Sequence, residues 1–194
     1  MDKNEKELLL NAKQGDHFAF EQLVQLYDRS VFSIAMRFVN DADEAKDIYQ
    51  EVFIRVFKGL KNFEFRSEFS TWIFRVTTNV CLTHKSNKKE QMRVSIYDDS
   101  TSENDDFSFK EIMDEGISPE EETSFKNLGE LIDEAVDNLS ERQKITFILK
   151  HYEGYKIREI AEMLNCKEGT VKKYLFDAIK NLKKKLKPLM VYQT

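Results

Sequence analysis

Lysine recurs at the outward positions of one segment near the C-terminus. Val171, Leu175, Ala178, Ile179 and Leu182 make a buried stripe at helical spacing, which leaves Lys167, Glu168, Lys172, Lys173, Phe176 and Lys180 facing out. A helix N-terminus carrying several cations suits phosphate, and side chains on such a helix reach base edges in the major groove. Upstream, Lys156 to Leu164 reads as a short helix. Asn165-Cys166 reads as a tight turn in which Asn tolerates left-handed backbone, and the small Ala161 stands where the two helices would cross. This is helix-turn-helix spacing. An ordinary helical hairpin with solvated charges has the same spacing.

Two further constellations stand in the N-terminal half. Asp47, Gln50 and Glu51, at i, i+3 and i+4, share a polar patch with Ile54 exposed beside them. An acidic patch around an apolar residue suits a basic helix of another protein, and a merely solvated face has the same composition. Phe63, Phe65, Phe69 and Trp72 are followed by Arg75, Asn79, Lys85, Lys88 and Lys89, and residues 70–89 contain no acid. Aromatics interleaved with cations can stack on unpaired bases and hold the strand's phosphates, each stacked base contributing roughly 1–3 kcal/mol. An aromatic cluster beside a helix start also serves as core, Trp72 above all.

The elements that would position these groups are helices. Among 194 residues there are only six Gly and two Pro, and 34% of side chains are charged. Asp16 is placed to cap a helix from Phe18 to Val39. Ala45, Ile48, Tyr49, Val52, Phe53, Val56, Phe57 and Leu60 mark the stripe of a second helix, and a third starts near Ser70 and runs towards Lys89. Ser118-Pro119-Glu120-Glu121 and Ser140-Glu141-Arg142-Gln143 are capping boxes that open later helices. The second of these ends near Tyr152, at the Glu153-Gly154 turn, and a long helix from about Lys167 closes at Pro188.

Net charge is −5, yet residues 70–89 carry +4, residues 90–125 carry −10 and residues 140–187 carry +7. The acidity sits between two basic blocks, which a Debye length of roughly 8 Å keeps almost independent. From Glu90 to about Ile117 the chain reads as an acidic linker without helical period. The expected fold is therefore all-α: two small helical domains, residues 1–90 and 118–194, joined by a flexible linker over 91–117, the second domain carrying the helix-turn-helix.

The same reading excludes other classes. His17, His84 and His151 are dispersed without metal-ligand spacing, so no metal or cofactor is expected. No nucleophile-base pairing, carboxylate-pair pocket or Gly-rich phosphate loop indicates an enzyme. Cys81 and Cys166 suggest reduced thiols in a cytoplasm, and neither a signal peptide nor a membrane span is expected.

Several stretches carry a more specific signal. Asp43-Glu44-Ala45-Lys46-Asp47-Ile48-Tyr49-Gln50-Glu51-Val52-Phe53 comes first, and Phe69-Ser70-Thr71-Trp72-Ile73-Phe74-Arg75-Val76-Thr77-Thr78-Asn79 second. Leu139-Ser140-Glu141-Arg142-Gln143 then leads into Ile160-Ala161-Glu162 and Gly169-Thr170-Val171-Lys172. In order, spacing and overall length the chain resembles the extracytoplasmic-function (ECF) sigma factors of the sigma-70 family, over about residues 16–90 and 120–187.

The resemblance implies binding to core RNA polymerase and to double- and single-stranded promoter DNA. Asp47, Gln50, Glu51 and Ile54 would meet the coiled coil of the polymerase β′ subunit. Phe63, Phe65, Phe69, Trp72, Arg75, Asn79, Lys85, Lys88 and Lys89 would serve melting and reading of the −10 element. Lys156, Lys167, Glu168, Thr170, Lys172, Lys173, Phe176 and Lys180 would serve the −35 element. The acidic linker would follow the RNA path through the polymerase, and an anti-sigma factor is an expected partner.

Departures stand at Thr83-His84-Lys85-Ser86-Asn87-Lys88-Lys89, where the family shows an Asp and an Arg-rich run. They stand also at Lys173-Tyr174, which replaces a Ser-Arg pair, and at Asp177, where Arg is common. A stand-alone helix-turn-helix regulator is the alternative, and it has no need of the Asp47/Gln50/Glu51 face.

Overall fold

The computed structural model describes residues 3–97 and 131–190, and every regular element in them is helical. In chain order they are α1 (Lys3–Lys13), α2 (His17–Val39), α3 (Ala42–Leu60), α4 (Phe69–Tyr97) and α5, described over residues 131–137. Then follow α6 (Glu141–Phe147) with a π-helical continuation at Ile148–Tyr152, α7 (Ile157–Met163) and α8 (Glu168–Met190).

Short polar side chains set the ends of the first helices. Asp16 opens α2 by accepting from the Phe18 and Ala19 N–H groups at 2.9 and 3.1 Å. Asn40 ends α2 in left-handed conformation, φ 55°, its N–H donating to the Met36 carbonyl at 2.8 Å. Asp41 opens α3 at once, accepting from Asp43 at 3.0 Å and Glu44 at 2.9 Å. The two helices thus turn on two residues, and their stripes meet: Ile34, Ala35 and Phe38 against Ile48, Val52 and Val56, with Ile73, Phe74 and Cys81 of α4 closing the core. Helix α1, which the hydrophobic periodicity does not mark, buries Leu9 and Ala12 there. Lys13 donates to the Phe63 carbonyl and Tyr27 to Glu5, fastening α1 to the rest.

Several expected boundaries move. Helix α4 continues to Tyr97, beyond the expected domain end at 90, because residues 90–97 contain no Gly or Pro to stop it. Helix α8 runs through Pro188 to Met190, since a proline in the last turn forfeits a single backbone bond near an end where carbonyls lack intrahelical partners anyway. The helix opened by Ser140 widens after Phe147, where Glu153 N–H reaches back to the Ile148 carbonyl at 3.1 Å. Gly154, φ 76°, then turns the chain. Ile179, expected in the buried stripe of α8, is 37% exposed and lies at its edge, as does Phe57 on α3 at 47%. The acidic run, Ser118-Pro119-Glu120-Glu121 and most of the expected linker lie outside the described residues.

The C-terminal half does not stand apart from the N-terminal half. Ala135, Val136 and Leu139 pack with Ala178 and Leu182. Ile145, Ile148, Leu149, Ile160, Met163, Leu164, Val171 and Leu175 belong to one continuous core with α2, α3 and α4. Polar contacts cross the same junction. Lys144, buried, donates to the Phe38 carbonyl at 2.6 Å and pairs with Asp137. Asn40 Nδ2 donates to Asp137 at 2.9 Å, Ser33 to Glu153 at 3.0 Å, and Arg37 lies 4.0 Å over the Tyr152 ring. From α4, Arg75 Nε donates to the Glu162 carbonyl at 3.1 Å and Thr78 Oγ1 to that of Met163 at 3.4 Å. The Glu162 carbonyl also accepts from the Asn165 N–H at 3.3 Å, so α4 adds a second donor there and supplies one to Met163.

Replacing Lys144 by Ala leaves the Phe38 carbonyl and the Asp137 carboxylate without their shared donor. A loss of about 1–3 kcal/mol is expected by urea denaturation, and an unchanged midpoint would show that the buried ammonium holds nothing. In the same assay Phe69→Ala is expected to cost about 3–5 kcal/mol and Phe65→Ala about 1 kcal/mol or less, because only the first ring fills core volume.

Candidate nucleic-acid and protein interfaces

The helix-turn-helix is formed by α7 and α8. Lys156 stands at the N-cap of α7, its N–H donating to Glu159 Oε2 at 2.7 Å. The Leu164 N–H donates to Ile160 and the Cys166 N–H to Ala161, both at 2.9 Å, while Asn165 adopts φ 49°. The turn is thus held by α7 itself, and buried Ala161 lets α8 approach. Val171, Leu175, Ala178 and Leu182 anchor α8. Lys156, Lys167, Glu168, Lys172, Lys173 and Lys180 are exposed, Thr170 is half-buried, and Phe176 projects at 68% exposure. The cationic face expected from the spacing is open to solvent, with an aromatic ring at its centre.

On α3, Asp47 and Gln50 are exposed. Glu51 is half-buried and accepts from Arg55 Nε at 2.6 Å, and Ile54 is 46% exposed. Phe57, one turn on from Ile54, extends the apolar strip and packs edge-on against Phe20 at 5.0 Å between centroids. The patch therefore combines acids with accessible apolar surface, and none of its members lies in the core.

The aromatic cluster divides. Phe63 and Phe69 are buried, 4% and 1% exposed, so the expectation that these rings stack on bases is corrected: their faces are taken by one another and by Trp72, at 5.2–5.6 Å. Trp72 is half-buried and pressed on Gly59, where a Cβ would stand 3.1 Å from the indole. Phe65 alone offers its ring, on a left-handed backbone at φ 56°, with Lys13 5.1 Å from the centroid.

Among the cations expected beside the cluster, Arg75 is turned to α7, Asn79 is exposed and Lys85 is half-buried. Lys88 pairs with Glu44, to which His84 Nε2 also lies at 3.1 Å. The Lys88 ammonium, with His84, holds the Glu44 carboxyl below the usual carboxylate range. The Lys89 side chain lies outside the described residues.

Buried Lys144 and its partner Asp137 help orient the junction, and no motif marks them. The available signal is register, since Lys144 stands one turn before Ile148 on the face that α6 buries. Burial pushes the Cys81 thiol up to about 12, so it is a core group rather than a nucleophile. Among the described residues no group of His, Cys, Asp and Glu could hold a metal ion, and no helix is long and apolar enough to cross a membrane.

Comparison with known proteins adds the family. The model for sigma-70 region 2 matches residues 23–91 and that for sigma-70 region 4 matches residues 129–182. The sigma-E factor of Haemophilus influenzae is 30% identical over 184 residues, 94% of this chain and 95% of that one. The RNA polymerase sigma-H factor of Pseudomonas aeruginosa is 29% identical over 97% of this chain and 96% of its own, and the ECF factor SigW of Bacillus subtilis 28% over 95% and 97%. Among solved structures, CnrH in complex with the cytosolic domain of CnrY superposes with TM-score 0.65 at 16% identity, over 99% of this chain and all of that one. RpoE of Bartonella quintana in complex with the anti-sigma factor NepR superposes with 0.62 at 22%, over 87% and 96%. At such identities the structural matches establish the fold, whereas the two family models and the full-length relatives establish descent. The chain belongs to the sigma-70 family of RNA polymerase sigma factors, in its extracytoplasmic-function group.

Proposed function

We propose that this sigma factor delivers core RNA polymerase to promoters through three faces and performs no catalysis of its own. Residues 1–90 form the unit that holds polymerase and the −10 element, residues 118–194 the unit that reads the −35 element, and residues 91–117 the connection. The observation that supports this best is the simultaneous exposure of two unlike faces. One is the cationic side of α8 behind a helix-turn-helix. The other is the Asp47/Gln50/Glu51/Ile54 patch on α3.

The first face suits a duplex. Lys172, Lys173 and Lys180 reach phosphates while Thr170 and Phe176 stand over the bases. The second suits a basic coiled coil such as that of the β′ subunit, Ile54 filling an apolar gap between charged pairs. Phe65, Asn79 and Lys85 are the accessible members of the −10 set. Arg75, Lys88 and Trp72 join them once their present partners are released. The protein works in the cytoplasm, where polymerase and chromosome are.

The arrangement of the two halves gives this reading a required step. The −10 and −35 elements lie about 25 base pairs apart, roughly 85 Å of B-form duplex at about 3.4 Å per base pair. Arg75 of α4 touches α7 directly, so the two units in this state cannot reach both elements at once. Polymerase binding opens the junction, and an anti-sigma factor that prefers the closed pair opposes it, each by its differential affinity for the two states.

Two measurements test the proposal. The intact protein is expected to be retained by immobilised core polymerase. The double reversal Asp47→Lys/Glu51→Lys is expected to weaken retention at least about tenfold without changing the circular dichroism. Failure of the intact protein to bind would end the reading. For duplex binding by the holoenzyme, Lys172→Ala and Lys173→Ala are each expected to reduce the slope of log affinity against log salt by about 0.9, the change that follows when one fewer phosphate is neutralised. An unchanged slope would remove those lysines from the interface.

A further inference from the structure

One acid breaks the cationic side of α8. Asp177 projects between Lys173, four residues earlier, and Lys180, three residues later. Both lysines are exposed and Asp177 is half-exposed beside Phe176, yet among the described residues the carboxylate forms no ion pair or hydrogen bond. The order is unfavourable for pairing within a helix, because an acid stabilises best when it precedes its base by four residues. A carboxylate held free on a face built for a polyanion costs binding energy unless it receives a hydrogen bond there.

The major groove limits which donor that can be. Phosphates and sugar oxygens offer no proton, and guanine and thymine present acceptors. Adenine offers its amino group beside N7, an acceptor on the same base that repels an anion, whereas the cytosine N4 amino group has a C5–H on that side. The nine residue steps from Glu168 to Asp177 rise about 13.5 Å along the axis, about four base-pair steps, so Asp177 lies within the length a helix can lay along the groove. We propose that Asp177 is a specificity-determining residue that reads one cytosine of the bound duplex by accepting a hydrogen bond from its N4 amino group. The inference rests on α8 facing DNA, as proposed above.

The test is selection of duplexes randomised across the −35 segment, with holoenzyme reconstituted from the full chain and core polymerase. The intact chain is expected to enrich cytosine roughly tenfold or more at one position of an otherwise defined sequence. Asp177→Asn gains an amide donor and is expected to move the preference at that position to adenine, which binds Asn through N6 and N7, with the other positions unchanged. Asp177→Ala is expected to flatten that position alone. If both variants select the same bases as the intact chain, Asp177 reads nothing. If Asp177→Asn tightens binding equally on every sequence, the acid is an electrostatic brake, and the proposal is again overturned. Enrichment of no sequence by the intact holoenzyme would instead bring down the assignment of α8 as a reader, and this inference with it.

Discussion

A lysine ammonium inside a protein must be paired or it is expelled, and that requirement shapes the junction on which this chain's arrangement rests. Lys144 starts from the first turns of α6, leans onto α2 and donates to the carbonyl of Phe38, with Asp137 as counter-charge. The Phe38 carbonyl belongs to the last turn of α2, where intrahelical donors have run out. A helix end in one half and a buried charge in the other thus satisfy each other. Asp137 also accepts from Asn40, the residue that terminates α2, so the same carboxylate reads the corner between α2 and α3. Apolar contact supplies most of the attraction between the halves, but it is non-directional. The Lys144 network fixes which face of α6 is presented to which turn of α2.

The same logic recurs at the other end of the junction. Helix α7 has only seven residues; its turn gives local donors to the Ile160, Ala161 and Glu162 carbonyls, and α4 adds Arg75 at Glu162 and Thr78 at Met163. Each half therefore adds hydrogen bonds to a helix end of the other. Such contacts are weaker guarantees of permanence than a buried core, because water can replace them when the halves separate. Ile148, Leu149 and Met163, buried in the core common to both halves, supply the larger, apolar part of the junction.

The sequence made legible whatever is periodic or capped. Asp16, Ser140 and Asn165 announced their helix start, capping box and turn by residue type alone, and the stripes of α3 and α8 announced the core. The outward cations of α8 and the patch around Ile54 followed from subtraction, since positions not needed for packing face solvent. What the sequence left hidden depends on contacts far apart in the chain. Phe63 and Phe69 have the composition of a stacking platform and of a core alike, and the packing of Tyr27 and of Trp72, itself set on Gly59, decides between them. Lys144 looks like any surface lysine until α2 is placed over it. The continuation of α4 past residue 90 was obscured by an acidic run further on, although nothing before Tyr97 stops a helix.

Placing the halves together also changes what the basic blocks can be said to be for. Residues 70–89 look like free positive charge in the sequence, yet Arg75 is bound to a carbonyl of α7 and Lys88 to Glu44. The affinity of this block for an anion is then a difference between two sets of contacts. At Arg75 only Nε is engaged, so the rest of the guanidinium keeps its donors, whereas an anion at Lys88 competes with the Glu44 carboxylate for the same ammonium. The exchange at Lys88 is local to α3 and α4 and can occur in either state. The Arg75 Nε contact belongs to the junction with α7. The Nε–carbonyl contact is one of several ties between the halves, beside those of Thr78, Lys144, Asn40 and Ser33 and the continuous apolar core, so the charge of this block and the packing of the halves draw on the same residues.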